Sequence, residues 1–304
     1  MTVRLQSFRR TRPRFSSDAC LMIREASGEI ALAGVADMIG RPIGLPWRNY
    51  MHVAQRQIQR HFNKQLPKTL EERSAFLKAE MATQSRLIRE IALRHDRTAF
   101  GFCVVLAVRQ GWQFRIFWLG DCRAYRIARG PDGFRCQALT RDHNALETTL
   151  REKGEMTLFR SEMMELGKQL DLHLGTDIDR VESALKTETT DILLNPGELL
   201  LFMTDGLYVP LIRVLMDRTN DRLSQQDLYL ETLLKDWLDS QTSKTLSQPP
   251  WEKLIRGLVD DVERYTRQHR SYRDDIAVCG LHSPAVHSSE ASHAFRGRLA
   301  PVIR

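Results

Sequence analysis

Four aspartates, Asp37, Asp121, Asp205 and Asp274, each stand where a strand-like apolar run stops or starts. The runs are 29–36 before Asp37, 114–120 before Asp121 and 198–204 before Asp205, with 276–281 opening just after Asp274 and Asp275. In antiparallel neighbours the end of one strand lies beside the start of the next, so the fourth acid can join the other three at one rim. Carboxylates with no histidine or cysteine cluster beside them favour a hard cation, Mg²⁺ or Mn²⁺, over zinc or copper. Two such ions about 3.5–4 Å apart can share a bridging carboxylate and a water that attacks phosphorus in line. Hydrolysis of a phosphate ester is the chemistry that follows. One strand-end aspartate alone is more often a turn or cap residue, so the reading rests on the set.

Such a rim needs sheets, and the hydropathy pattern supplies them. Strands over 19–24 and 29–36 flank Ser27-Gly28, a pair suited to a tight turn. Trp47, Met51, Ala54, Ile58 and Phe62 recur at helical spacing. A second helix starts at Thr69, with Glu72 completing a capping box and Leu77, Met81, Ile88 and Ile91 as its buried stripe. From Phe100 to Leu139 the pattern is a three- or four-stranded meander broken at Gln110-Gly111 and at 130–133. A helix over 144–153, a strand over 198–203 after Asn195-Pro196-Gly197, helices over 224–238 and 251–269, and a last strand to Leu281 complete the chain. Strands in runs, with helices in blocks, indicate an α+β fold in which helices cover antiparallel sheets.

The 304 residues and 42% hydrophobic content suit one large domain. The formal charge is +7, and Arg4, Arg9, Arg10, Arg12 and Arg14 crowd the start, so residues 1–14 read as a solvated basic arm. That arm lacks the interleaved aromatics that stack bases, which argues against nucleic-acid binding. Five scattered cysteines indicate reduced thiols and a cytoplasmic protein. No run approaches the roughly 18 apolar residues of a membrane span. Residues 283–304 read as a flexible tail.

The contexts of the aspartates resemble the metal-dependent serine/threonine protein phosphatases of type 2C, the PPM family, across most of 18–281. Ser17-Asp18-Ala19 is similar to the opening acidic motif of that family, and Val35-Ala36-Asp37 to its first metal motif. Gly120-Asp121-Cys122-Arg123-Ala124-Tyr125 resembles the Gly-Asp-Ser-Arg turn, and Leu139-Thr140-Arg141-Asp142-His143-Asn144 the Leu-Thr-x-Asp-His-Ser segment. Leu150 to Glu155 is similar to the helix and turn that follow, Thr204-Asp205-Gly206-Leu207 to Ser-Asp-Gly-Leu, and Asp274-Asp275-Ile276-Ala277-Val278 to the closing Asp-Asn motif.

The resemblance implies two stacked antiparallel sheets flanked by helices, a four-layer α-β-β-α sandwich. The phosphatase domain would span 15–282, with a helical insert at about 212–270. It implies two Mn²⁺ or Mg²⁺ ions, and a weaker third, at one end of the sandwich. Asp37 would bridge two ions, Asp205 and Asp274 would complete the first site, and the Met38 carbonyl would serve the second. Asp121 with Asp205 would hold the third, and Asp18 would hold metal-bound waters. Pro13 occupies the position that the family gives to its phosphate-gripping arginine; Arg12 and Arg14 flank it on opposite faces of an extended strand, and of the two Arg14 is the favoured candidate. Phosphoserine and phosphothreonine in a phosphoprotein would be hydrolysed by a metal-bridged water.

Met38 stands where the family has glycine, and with Ser17 and Pro13 it supports a rival: a catalytically impaired pseudophosphatase that binds a phosphoprotein or regulatory partner. Cys103 and Arg109 have the spacing of a thiol-phosphatase loop, but the apolar β-branched run between them reads as a buried strand. His143 reads as a loop histidine bonded to backbone, Asp142 as the cap of the following helix, Asp275 as a structural acid, and Trp237 and Trp251 as packing residues.

Overall fold

The computed structural model describes residues 4–10, 18–40, 50–94, 100–242, 250–269 and 275–282. One five-stranded antiparallel sheet runs, in spatial order, β1 (Arg4–Arg10), β12 (Ile276–His282), β10 (Leu199–Met203), β6 (Arg123–Gly130), β7 (Gly133–Ala138). The other runs β2 (Ala19–Arg24), β3 (Ile30–Ile39), β4 (Gly101–Gln110), β5 (Gln113–Leu119), β9 (Thr189–Leu193). A short ribbon pairs β8 (Glu155–Thr157) with β11 (Arg222–Ser224).

Both faces of each sheet are covered, which explains why strands such as Leu199–Met203 read as unbroken apolar runs rather than alternating ones. In β10 the residues Leu200 and Phe202 enter the core between the sheets, while Leu199, Leu201 and Met203 enter an outer core. In β4, Cys103, Val105 and Ala107 face inward, and Phe102, Val104, Leu106 and Val108 face out. The helices α1 (Tyr50–Gln65), α2 (Leu70–Arg94) and α5 (Ile178–Thr187) fill the outer core on that side. Opposite them lie α3 (Ala145–Lys153), α4 (Arg160–Lys168), α6 (Asp205–Arg218), α7 (Gln225–Leu228), α8 (Glu231–Gln241) and α9 (Trp251–Gln268). The four-layer α-β-β-α sandwich expected from the sequence is the observed architecture.

Several local expectations hold. The box at α2 is formed, with Glu72 N–H donating to Thr69 Oγ1 at 3.1 Å and Thr69 N–H to Glu72 Oε2 at 3.0 Å. Trp251 is buried, meets Phe134 edge-on and donates to the Gly197 carbonyl at 3.2 Å. Cys103 and Arg109 lie buried in β4, and Arg109 donates to the Gly111 and Ile30 carbonyls. The thiol-phosphatase loop is thereby excluded.

Three expectations are corrected. Arg4–Arg10, within the stretch read as a solvated arm, is an edge strand paired along β12 from Arg4 opposite His282 to Arg10 opposite Ile276. It covers what would otherwise be an open sheet edge. The meander over 100–139 is two hairpins in different sheets, because the chain crosses from one sheet to the other at Gly120–Cys122. The helix α6 was not foreseen, and α7 and α8 replace one helix over 224–238, separated by Leu230 in the left-handed region at φ 56°. Leu254, Leu258 and Val262 of α9, within the 212–270 stretch, share a core with β10 and β12.

Asp142 does not cap α3. Asn144 does, accepting from Glu147 N–H at 2.9 Å while buried. Asn144→Ala should lower stability by about 1–2 kcal/mol, read by urea denaturation with an unchanged m-value. A neutral result would remove the cap from the account of this helix.

Candidate active site

Register within each sheet, together with the stacking of the two sheets, carries the acids to one rim. In the second sheet Ala19 pairs with Ala36, so Asp18 and Asp37 lie level with one another. In the first sheet Arg123 pairs with Met203, so Asp121, two residues before one, and Asp205, two residues after the other, overhang the same end. Met203 pairs with Val278, which puts the start of β12, and Asp275 before it, at that end too. Asp274 and Arg14 lie outside the described residues.

The side chains converge as the register requires. The Asp37 carboxyl is held well above the usual carboxylate range, first by burial and then by the negative charges of Asp18, Asp205 and Asp121. Asp18 and Asp121 are buried, whereas Asp37 and Asp205 are half-buried. Burial also pushes the Asp121 carboxyl up, to about 6, with the charge of Asp142 adding to it and Cys103, Tyr208 and Arg123 opposing it. The Cys103 thiol, opposite Asp37 in the strand register, is pushed up by burial and then by Asp121. Such a thiol is a packing group rather than a nucleophile.

Thr204, which sequence reasoning passed over, ties the two sheets together beneath the acids. Its hydroxyl donates to Asp18 Oδ2 at 2.5 Å and accepts from Ala277 N–H at 3.0 Å. The signal was present in the Thr204-Asp205-Gly206-Leu207 motif, where a hydroxyl precedes the strand-end acid. His143 bonds backbone as expected: Gly120 N–H donates to Nδ1 at 3.1 Å, and His143 N–H donates to the Gly120 carbonyl at 3.0 Å. Because Nδ1 accepts, the neutral ring carries its proton on Nε2, which faces Glu188 Oε2 at 3.7 Å. Met38 sits in β3 opposite Phe102 and is not among the residues with positive φ. Its backbone is ordinary extended strand, and the left-handed turn falls on Gly40 at φ 89°. Methionine in place of glycine here therefore strains no backbone.

Among the described residues, no three histidines, cysteines or acids by themselves enclose a cation. The set assigned from sequence also includes Asp274. The chemistry of the donors nevertheless fits one: carboxylates crowded at one rim, with Asp18, Asp205 and Asp121 raising the cost of ionising Asp37, are relieved by a hard divalent ion. Asp37, Asp205, Asp274 and the Met38 carbonyl could hold it directly. Asp121 could serve a further ion, and Asp18 could act through water.

No protein-family model and no curated protein sequence matches the chain. Solved structures do. PppA, a key regulatory component of T6SS in Pseudomonas aeruginosa, aligns with TM-score 0.61 at 19% identity, over 93% of this chain and 98% of its own. The S. agalactiae serine/threonine phosphatase aligns with TM-score 0.63 at 16% identity, over 92% and 99%. The catalytic domain of the serine/threonine phosphatase PstP, in complex with 2 manganese ions, aligns with TM-score 0.56 at 15% identity, over 92% and 97%. This chain has the fold of the bacterial type 2C serine/threonine phosphatases, a fold that in PstP carries manganese. Among the described residues no helix is long and apolar enough to cross a membrane.

Proposed function

We propose that this chain is a metal-dependent phosphoprotein phosphatase acting on phosphoserine and phosphothreonine in the cytoplasm. The observation that carries the reading is the convergence of Asp18, Asp37, Asp121 and Asp205 at one end of the sandwich, with the Asp37 carboxyl strained by the other three. Two Mn²⁺ or Mg²⁺ ions bound there would neutralise the phosphoryl oxygens and make a water nucleophilic at neutral pH.

The protein groups would do the rest. Asp37 and Asp205 are the less buried of the acids, so a phosphate ester would approach from their side, with Asp18 and Asp121 buried. Asp274 would complete the carboxylate set. The Thr204 hydroxyl fixes Asp18 against both sheets. Arg14 would grip the phosphate and orient it for in-line attack, as a planar guanidinium suits two phosphoryl oxygens at once.

The test is hydrolysis of p-nitrophenyl phosphate and of a phosphothreonine peptide with Mn²⁺, Mg²⁺ or chelator. Turnover with metal, abolished by chelator, is the expected result. Absence of turnover, with calorimetric metal binding intact, would instead assign the pseudophosphatase that binds a phosphoprotein without hydrolysing it.

A further inference from the structure

Among the described residues Arg123 is the largest fully buried side chain, at 1% exposure, and the phosphatase reading gives it no role. All three nitrogens of its guanidinium are engaged. Nε and Nη2 donate to Asp142 Oδ1 and Oδ2 at 3.0 and 2.6 Å, and Nη1 donates to the Leu228 carbonyl at 2.6 Å. Its plane lies over the Tyr208 ring at 3.8 Å, with the Tyr229 ring at 5.1 Å. Asp142 N–H in turn donates to the Tyr229 hydroxyl at 3.2 Å. One side chain therefore joins β6, the loop before α3, α6 and the turn between α7 and α8.

Its placement relative to the acids is specific. Tyr208 hydrogen-bonds the Asp121 carboxyl, and the Arg123 guanidinium lies close enough to act on the same group. Tyr208 follows Asp205 by three residues on α6, one helical turn along the same side. The contact between Arg123 and Tyr208 thus lies directly behind the pair Asp121 and Asp205. We infer that Arg123 is a positioning residue: by bonding Asp142 and stacking on Tyr208 it sets the separation of the Asp121 and Asp205 carboxylates. Its meaning for catalysis rests on the phosphatase reading, but the geometric claim does not.

The substitution Arg123→Lys keeps the charge and loses the fork and the flat stacking surface. Removing one partner of a buried pair can also unfold a protein, so the informative variant is Arg123→Met with Asp142→Asn, which leaves no unpaired buried charge. Three readouts are compared with wild type: the metal-free crystal structure, Mn²⁺ affinity by calorimetry, and kcat and KM for p-nitrophenyl phosphate. The expected result is a folded double variant in which Asp121 is displaced relative to Asp205. Mn²⁺ affinity and kcat would fall by about 10–100-fold, with KM little changed. Tyr208→Leu, which removes the ring under the guanidinium, should move the same quantities in the same direction. If Asp121 and Asp205 keep their wild-type separation in the double variant, the inference is overturned, whatever the activity. If wild type binds no Mn²⁺ while the displacement is still seen, the clamp stands and the phosphatase reading falls.

Discussion

Asp37→Asn should raise the melting temperature of the protein in chelator and lower it, relative to wild type, in millimolar-range Mn²⁺. The first half follows from crowding. The Asp37 carboxyl is penalised by burial and by Asp18, Asp205 and Asp121, so its ionised form opposes the folded state. Asparagine keeps the shape and can donate to Asp18 where a second anion cannot. A group whose folded pKa lies above its unfolded value stabilises the fold below the unfolded value, and that contribution is lost as pH rises through the folded one. Wild type and variant should therefore melt alike in acid and separate as pH passes upward out of the ordinary carboxylate range. About 1 kcal/mol would appear as about 2–4 °C in a domain of this size. In metal the order reverses, because a ligand at 100 times its Kd stabilises by about 2.7 kcal/mol, and the variant forgoes most of that. Hydrolysis should fall by about 10³-fold, the scale of losing one preorganised electrostatic group. A variant less stable than wild type in chelator would mean that Asp37 is an ordinary bonded acid, and the site would have to be sought elsewhere.

Asp37, Asp121 and Asp205 were legible because each adjoins an apolar run, whereas Asp18 came from the family resemblance; register aligns them within each sheet and the stacking of the sheets does the rest. The pairs Ala19 with Ala36 and Arg123 with Met203 align Asp18 with Asp37 and Asp121 with Asp205. What escaped the sequence reading had competing local signals. Gly206 and Pro210 both read as helix breakers, yet α6 forms through them, because Leu207, Tyr208, Ile212 and Met216 bury one face against the sheet. The segment Arg4–Arg10 looked solvated because its arginines are conspicuous, while its pairing with β12 lies at the far end of the chain. Asp142 and Asn144 are equally plausible caps from type alone. The choice is decided by Arg123, which takes Asp142 away into a buried pair. Long-range partners of this kind leave no local trace.

The crossing between sheets is the least legible feature and sets the second large effect: Gly120→Ala should be severely destabilising. A meander and a switch of sheet share one hydropathy pattern, and the difference is made at Gly120, which lies at φ 94° between β5 and Asp121. An L-residue there pays about 1–3 kcal/mol in backbone strain. Independently, a Cβ at this position would sit 2.3 Å from Cys103 Sγ, 2.7 Å from its Cβ and 2.9 Å from its Cα. Overpacking of that kind costs about 1–3 kcal/mol more. The combined loss, about 2–6 kcal/mol, is a large part of the stability of an ordinary domain. Cys103→Ala in the same chain should recover only a part, since the contacts with Cβ and Cα remain and the backbone strain is untouched. The functional loss should exceed what unfolding explains. Gly120 exchanges two hydrogen bonds with His143 and directly precedes Asp121, so a chain pushed away from Cys103 carries both with it. Metal affinity measured well below the melting temperature separates the two effects: weakened binding in folded Gly120→Ala is expected, and wild-type affinity there would show that the turn serves the fold alone.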